Sequence, residues 1–318
     1  MFKPGRIIRG KRKYKIKKYM ESGGFSKLYL GLNLHTNRHI VVKVLRNDKF
    51  DDLEEEEDYF RRERAFIDIQ SKSGSHALRL VDSIVIKKDW KNSKFILITN
   101  YINGEDFDPW LHDIIEKKGD RVYYYLVKYI FYPLCEYFSY CHNHGLLHRD
   151  FSPSNILIKK YKKKKPVPVV IDFGASLNFD PAKIYRVPPY LEDLEDSEES
   201  YVYTEGYNPP EVDEDKVFLP QSDIYCFGAV MFYSFSLGKE REEDEDYTEY
   251  ELNTQKYNID CPDELDAIVS KCTQYEPRER YLSFDHLMID LKAFIDKYKP
   301  KRKSSSKKNR KKNSKKKI

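Results

Sequence analysis

The sequence is poor in cysteine and has no long apolar run, and each absence excludes a class of protein. The five cysteines are odd in number, lie scattered along the chain and include no C-x-x-C pair. This pattern argues against a disulfide framework and favours a reducing compartment. No stretch of eighteen apolar residues is present, so we expect no transmembrane segment. The N-terminal residues also lack the apolar core of a secretory signal, and we therefore expect a cytoplasmic or nuclear protein.

The composition is that of a globular chain with charged ends. Hydrophobic residues make up 40% and aromatic residues 14% of the 318 positions, enough for a sizeable core although 34% of the residues are charged. Residues 1–20 contain nine bases and residues 297–318 contain thirteen, with no acid in either segment. The region between them is left with 35 bases against 52 acids.

The two basic ends are predicted to lie outside the folded domain. Residues 299–318 have no apolar periodicity and predict a disordered polybasic tail, and residues 1–13 are interpreted as a basic N-terminal extension. The tail has three open interpretations: a solubilising segment, a nuclear-import signal, or a contact with an anionic partner such as nucleic acid or a membrane surface. The oligomeric state is unknown at this level.

The pattern of apolar residues divides the rest of the chain into two parts. Residues 14–48 and 78–101 are rich in β-branched and aromatic residues and predict short strands. Between them, residues 54–69 have helical spacing, which places Phe60, Glu63 and Ile67 on one face. From about residue 110 the pattern predicts long helices, over 121–144, 221–238, 262–274 and 283–298. A small strand-rich lobe thus precedes a larger helical one.

Two motifs carry the strongest functional signal. Residues 147–155 read LHRDFSPSN, and residues 169–174 read VVIDFG. In this order and spacing, together with four further motifs, they resemble the eukaryotic-type protein kinases, most closely the serine/threonine kinases. The resemblance covers residues 14–298. It implies an α+β, two-lobed fold, with a small antiparallel sheet and one helix at about 14–100 and a larger helical lobe at about 101–298.

The resemblance assigns catalytic roles within these two motifs. Asp150 is the expected catalytic aspartate, which orients the substrate hydroxyl and accepts its proton. Asn155 and Asp172 are the expected ligands of Mg²⁺, because their side-chain oxygens suit this hard cation. Ser152 departs from the pattern, since serine/threonine kinases usually have a lysine there that steadies the γ-phosphate. We expect this substitution to slow the reaction, and Lys27 is a candidate to replace the missing cation.

Lys43 and Glu63 are a predicted ion pair. Lys43 follows three apolar residues on a predicted strand, where an inward-facing ammonium group needs a partner. Glu63 lies on the inner face of the predicted helix. The pair resembles the strand lysine and helix glutamate that position the α and β phosphates of ATP in kinases. Other acidic residues of the same helix are alternatives to Glu63, but they lie too early in the helix to share the face of Phe60 and Ile67.

The remaining nucleotide contacts follow from the same resemblance. The segment 20–28 corresponds to the glycine-rich loop, although only one glycine of the family pattern is retained. A small gatekeeper residue and a hinge with two backbone contacts to adenine are expected after the second strand-rich stretch. An acid beyond the hinge is expected to reach the ribose. The predicted ATP-binding residues are Met20, Glu21, Gly23, Gly24, Phe25, Ser26, Leu28, Val41, Lys43, Thr99 (the gatekeeper), Asn100, Ile102, Asp106 and Leu157.

The segment before the last helices resembles the end of a kinase activation segment. Residues 204–211 read TEGYNPPE, and we expect Glu211 to pair with Arg280. Asp223 resembles the helix aspartate that braces the catalytic loop. Thr204 occupies the place of a threonine that serine/threonine kinases hold near the catalytic aspartate. An acidic run at 192–199 suggests a basic protein substrate, including the serines of the tail itself.

The sequence therefore predicts a serine/threonine protein kinase that uses ATP and Mg²⁺ and acts on a protein substrate. Three alternatives remain. The first is a pseudokinase or ATP-binding scaffold, suggested by Ser152 and the altered glycine-rich loop. The second is a small-molecule phosphotransferase of related fold, which the motifs around Glu211, Asp223 and Arg280 oppose. The third is a nucleic-acid-binding role that rests on the basic ends alone.

Overall fold

The computed structural model describes most of the chain from residue 2 to residue 300. The described residues are 2–89, 92–159, 165–183, 204, 206–239 and 251–300. The acidic run at 192–199 and the tail after residue 300 lie outside them, so the predictions made for these segments stay predictions. Among the described residues, no helix combines the length and the apolar character needed to cross a bilayer.

An antiparallel sheet forms the small lobe. Its strands lie in the spatial order β1-β2-β3-β4-β6-β5, which places β4 in the interior and β1 at one edge. The strands are β1 Ile7–Arg9, β2 Lys13–Ser22, β3 Ser26–Asn33, β4 Arg38–Leu45, β5 Leu80–Ile86 and β6 Lys94–Asn100. Alternation along β4 sends Ile40, Val42 and Val44 to a buried face and leaves Val41 and Lys43 on the other. The sheet begins at Ile7, seven residues before the start predicted for the domain.

One helix, α1 at Leu53–Gln70, packs against the sheet. It begins where the carboxylate of Asp52 accepts a hydrogen bond from the backbone N–H of Glu55, a standard N-cap. Its buried face includes Phe60, Ile67 and also Glu63, which is only 2% exposed. The predicted helix is therefore present, and the acid on its inner face lies among apolar neighbours.

The large lobe is mainly helical. Its helices are α2 Phe107–Lys118, α3 Val122–Leu126, α4 Tyr132–Asn143, α5 Pro210–Asp213, α6 Pro220–Phe235, α7 Thr254–Tyr257, α8 Asp263–Cys272 and α9 Phe284–Lys297. Every residue of α6 is buried, and this helix forms the centre of the lobe. The helix predicted over 121–144 is present but interrupted by a π-helical turn at Val127–Phe131. The predicted α+β architecture with two lobes is confirmed.

Short strands carry the site-forming loops on the surface between the lobes. They are β7 Gly104–Asp106, β8 Leu146–Leu147, β9 Ile156–Lys159, β10 Val167–Val170 and β11 Leu177–Asn178. The strands β10, β9 and β7 form one small sheet, and β11 pairs with β8 in another. The loop between β8 and β9 contains Asp150 and Asn155, and the chain leaves β10 two residues before Asp172. These pairings hold both motifs at the same edge of the large lobe.

Candidate active site

Three charged side chains from different parts of the fold meet between the lobes. The Nζ of Lys43 on β4 lies 2.6 Å from Glu63 Oε1 on α1 and 2.9 Å from Asp172 Oδ1. Lys43 is 14% and Glu63 is 2% exposed, whereas Asp172 is 57% exposed. The sheet, the helix and the loop after β10 are thus joined by one ammonium group. The expected Lys43–Glu63 ion pair is present.

The pKa shifts of these groups follow from burial and proximity. Burial alone disfavours the charged form of Lys43, but the two carboxylates outweigh it and raise the pKa of Lys43 well above its usual range. Burial raises the pKa of Glu63, and Lys43 opposes that rise only in part. The charge of Lys43 holds the pKa of Asp172 below its ordinary value. Asp172 is therefore the ionised carboxylate that faces the open cleft.

Asp150 is held by hydrogen bonds from two sides. The Oγ1 of Thr204 donates to Asp150 Oδ1 at 2.7 Å, and the Nδ2 of Asn155 donates to the Asp150 backbone oxygen at 2.7 Å and to its Oδ2 at 3.3 Å. Burial raises the pKa of Asp150 above the ordinary aspartate value, and these hydrogen bonds moderate the rise. The carboxylate is fixed in orientation and is more basic than a free aspartate.

The loop around Asp150 is braced from α6. The Oδ2 and Oδ1 of Asp223 accept hydrogen bonds from the backbone N–H groups of His148 and Arg149, each at 2.8 Å. The ring of His142 also contacts Asp223, with 2.9 Å between Nε2 and Oδ2. Arg149 and Asp172 both have left-handed backbone conformations, with φ of 71° and 58°. Such a conformation is costly for residues other than glycine, so the surrounding contacts must hold it.

A cleft of about 400 Å³ opens between the lobes beside these charges. Leu28 and Val41 line it from the sheet, and Leu157 lines it from the large lobe. The charged groups of Lys43 and Asp172 lie in the same cleft. An enclosed space with apolar walls and a few convergent polar groups is the usual form of a small-molecule site.

The predicted hinge borders this cleft. Thr99, Asn100 and Ile102 all line it, and so does Asp106 at the start of α2. The side-chain oxygen of Asn100 accepts a hydrogen bond from the backbone N–H of Arg79 at 2.6 Å, which fixes the segment to the chain before β5. The Asn100 side chain is thus engaged within the protein. A nucleobase in the cleft would therefore be recognised through backbone groups of the hinge.

The glycine-rich segment contributes to the cleft only in part. Met20, Glu21, Gly23 and Ser26 line it, but Gly24 and Phe25 do not. The ring of Phe25 is instead stacked on Tyr59 of α1, with 5.2 Å between the ring centres, and also lies against Phe50. Two of the residues predicted to contact nucleotide therefore lie outside the cleft lining. For Phe25, aromatic packing against α1 explains its position.

The oxygen ligands that the cleft offers to a cation suit a nucleoside triphosphate bound with Mg²⁺. The amide nitrogen of Asn155 is used on Asp150, which leaves its side-chain oxygen as the group for a cation. Asp172 adds an ionised carboxylate open to the cleft. The described residues contain no cluster of three His, Cys, Asp or Glu side chains that would hold a metal alone. An ion here would take its remaining ligands from phosphate oxygens and water, as Mg²⁺ does with nucleotides.

Ser152 adds no charge to this arrangement. Its side chain is buried, and its Oγ lies 2.8 Å from the Oγ of Ser154 and 3.4 Å from the Oγ1 of Thr204. Lys27 does not line the cleft; its charge, after the stronger effect of Arg46, contributes to a lowered pKa of Asp48. Lys43 is the one lysine among the described residues that line the cleft. The geometry thus gives no support to Lys27 as a replacement cation.

Several cleft residues escaped the sequence analysis. They are mostly apolar side chains, which single sequences do not distinguish from core residues: Ser22, Ile67, Leu78, Leu97, Tyr101, Ser154, Ile171 and Phe173. Tyr59, which does not line the cleft but lies against Gly174, was not predicted either. A Cβ at Gly174 would overlap its hydroxyl group, so α1 lies directly against the loop that follows Asp172.

Away from the cleft, the expected pair of Glu211 and Arg280 is present. Two parallel contacts of 2.8 Å join the guanidinium nitrogens of Arg280 to the carboxylate oxygens of Glu211, and both side chains are at most 1% exposed. The guanidinium group also donates to three backbone oxygens, of Gln221, Gln274 and Tyr275. This buried pair anchors the segment that carries Thr204 to the loop between α8 and α9.

Comparison with known proteins places this architecture in a family. The family model for the protein kinase domain matches residues 14–290. A probable serine/threonine-protein kinase, MARK-C, of Dictyostelium discoideum is 26% identical over 257 residues, which are 80% of this chain and 29% of that protein. The serine/threonine-protein kinase PknA of a Nostoc species is 25% identical over 296 residues, 91% of this chain and 48% of its own. The chain spans less than half the length of both relatives. On the family match alone, which covers most of its length, the chain belongs to the protein kinase domain family.

Proposed function

We propose that residues 14–298 form a serine/threonine protein kinase that transfers the γ-phosphate of Mg-ATP to a hydroxyl group of a protein substrate. The observation that carries the proposal is the meeting of Lys43, Glu63 and Asp172 in one cleft, whose lining also includes Asn155, the residue hydrogen-bonded to the carboxylate of Asp150. Phosphoryl transfer needs a cation for the phosphates, ligands for a metal and a carboxylate for the acceptor. The cleft and the adjoining carboxylate of Asp150 offer a group for each.

The roles follow from position and charge. Lys43, oriented by Glu63, would bind the α and β phosphates. Asp172 and the side-chain oxygen of Asn155 would hold Mg²⁺, which neutralises phosphate charge when bound. Asp150 would orient the substrate hydroxyl and take up its proton, and its raised pKa favours that task. Leu28, Val41 and Leu157 would enclose the adenine in an apolar space.

Specificity for serine and threonine is supported by Thr204. Its hydroxyl bonds directly to Asp150, where the resemblance to serine/threonine kinases predicts such a threonine. The names of the two relatives support the same specificity. The preference for a basic substrate rests on the acidic run at 192–199.

The proposal is tested by transfer of labelled γ-phosphate from Mg-ATP to a mixture of basic proteins. We expect phosphoserine and phosphothreonine with the unaltered chain and a loss of at least about 100-fold in Asp172→Ala. Asp296→Ala is the matched control, because Asp296 has nearly the same exposure, 59%, but lies on α9. Its transfer rate should remain that of the unaltered chain.

Two outcomes would contradict the proposal. Undiminished transfer in Asp172→Ala would assign the activity to another site or to a contaminant. Absence of transfer, with ATP still raising the melting temperature, would favour the pseudokinase alternative suggested by Ser152. Loss of thermal stabilisation by ATP in Lys43→Ala would then show that the same cleft binds the nucleotide.

A further inference from the structure

The N-terminal residues form a hairpin that is fixed to the small lobe. Asp82 of β5 is 2% exposed, and its Oδ2 accepts hydrogen bonds from the backbone N–H of Lys11 at 2.8 Å and from the Tyr14 hydroxyl at 2.9 Å. Gly10 lies so close that a Cβ would overlap this carboxylate. At the start of the chain, the backbone N–H of Phe2 donates to the Tyr29 hydroxyl at 3.1 Å. The segment is therefore a built part of the sheet.

The strand register assigns the basic residues to one face of this sheet. Arg9 pairs with Lys13, and Lys18 pairs with Leu30, which is two residues from Leu28 in the roof of the cleft. Ile8, Tyr14 and Ile16 point to the opposite, buried face. Antiparallel partners point their side chains to the same side, and alternate residues of a strand do as well. The basic face consists of Arg9, Lys13 and Lys15 and, because a bulge between Ile16 and Lys18 shifts the alternation of β2 by one residue, also of Lys18.

The positive charge of this face is not neutralised within the described part of the chain. No ion pair among the described residues involves Arg9, Lys13, Lys15 or Lys18. Arg9 and Lys13 are direct cross-strand partners, an arrangement of like charges that disfavours the hairpin. A bound anion would relieve this repulsion.

Apolar and aromatic side chains lie on the same face, between the basic side chains. The register runs from Ile7 through Lys15 and Leu32 to His39 across four strands. Ile7 is 50% exposed. The ring of His39 makes an edge contact with Tyr101, which is 38% exposed, with 6.0 Å between their centres. The face thus combines separate positive charges with exposed rings.

We propose that the basic face binds single-stranded nucleic acid. Proteins that bind single strands combine cations for the phosphates with rings on which unpaired bases stack, and this sheet presents both. A lipid surface is less well matched, because surface anchoring uses an apolar face that enters the bilayer boundary by about 5–10 Å. Here the exposed apolar side chain of Ile7 is a single residue, cross-strand from Lys15 and on the same strand as Arg9.

The test measures binding of fluorescent single-stranded oligonucleotides to the full chain at several salt concentrations. Each phosphate neutralised contributes about −0.7 to the slope of log K against log salt. We expect the variant Arg9→Gln, Lys13→Gln, Lys15→Gln to lower the steepness of that slope by about 2 units. The control, Lys315→Gln, Lys316→Gln, Lys317→Gln, removes the same charge from the tail. It should retain most of the slope.

Further measurements distinguish single-strand binding at the basic face from duplex binding, from binding to lipid and from a general loss of folding. His39→Ala should weaken single-strand binding roughly tenfold and affect a duplex of equal length less, because stacking needs unpaired bases. Unchanged melting temperature and phosphate transfer in the glutamine variant would show that the loss is local. An unchanged salt slope in that variant would overturn the proposal, as would binding to phosphatidylserine vesicles without binding to oligonucleotides. The result does not depend on kinase activity.

Discussion

Thr204 connects the segment that ends at Glu211 with the loop that contains Asp150 through a single hydroxyl group. That hydroxyl donates to Asp150 at 2.7 Å, and the same oxygen lies 3.4 Å from Ser152. The bond does two things at once: it orients the carboxylate, and it stabilises the ionised form. Burial works in the opposite direction and raises the pKa of Asp150. The balance between them sets the pH at which Asp150 loses its ability to accept a proton.

The first prediction concerns this pH dependence. In the proposed reaction Asp150 must be ionised to accept the substrate proton, so we expect activity to fall as pH falls through its pKa, which lies above the ordinary value of about 3.9. Thr204→Val removes a hydrogen bond that lowers the pKa, and we expect the acid limb of the kcat/KM profile to move to higher pH. Thr204→Ser keeps the hydroxyl group and should leave the limb in place. A Thr204→Val profile identical to that of the unaltered chain would contradict this role.

For individual residues, the sequence was informative where a buried charge needs a partner of opposite charge. Lys43 follows apolar residues on a strand, and burial of an unpaired ammonium group is costly, so a partner on the next helix was required. The stacking of Phe25 on Tyr59 could not be predicted in this way. Apolar rings have many acceptable neighbours, and the fold alone decides which of them meet.

At the scale of elements, the pair of Glu211 and Arg280 joins α5 to the chain after α8. Both charges are removed from water, and each is satisfied by the other and by nearby polar groups. Ser222 of α6 also donates to Glu211 Oε1 at 2.7 Å. Such a pair contributes little net stability compared with apolar residues, but the loss of one partner leaves a buried charge without compensation.

The second prediction follows from this asymmetry. Arg280→Met should lower the free energy of unfolding by about 3–5 kcal/mol, because the Glu211 carboxylate would stay buried without its partner. Arg278→Met is the control: Arg278 is 61% exposed and lies 3.4 Å from Glu276, so its loss should cost at most about 1 kcal/mol. Denaturant unfolding of both variants gives the comparison. Equal effects would show that Arg280 has no special structural role.

Most helices and strands could be predicted from periodicity, and the differences have local causes. The helix expected over 121–144 contains a π-helical turn, which hydrophobic spacing does not reveal. The strand at Ile7–Arg9 was missed because it is only three residues long and lies within a basic segment. Its place in the sheet depends on Asp82, more than seventy residues away in the chain. Contacts of that range are invisible to local patterns.

At the scale of the whole molecule, the charge is divided between the folded part and the tail. The middle of the chain contains 52 acids against 35 bases, whereas residues 297–318 contain thirteen bases and no acid. Opposite net charges attract over distances of about one Debye length, roughly 8–10 Å at physiological salt. A covalent connection also keeps the tail at a high effective concentration near the domain. Both effects favour the tail as a substrate of its own kinase domain.

The third prediction is therefore phosphorylation of the tail serines, Ser304, Ser305, Ser306 and Ser314. After incubation of the full chain with Mg-ATP, mass spectrometry should find phosphate within residues 301–318 and not in Asp172→Ala. Because the attraction is electrostatic, the rate should fall as salt is raised, while transfer to a short neutral peptide should change less. A rate independent of protein concentration would show reaction within one chain. Unmodified serines, under conditions in which added protein is phosphorylated, would contradict the prediction and leave the tail to its other interpretations.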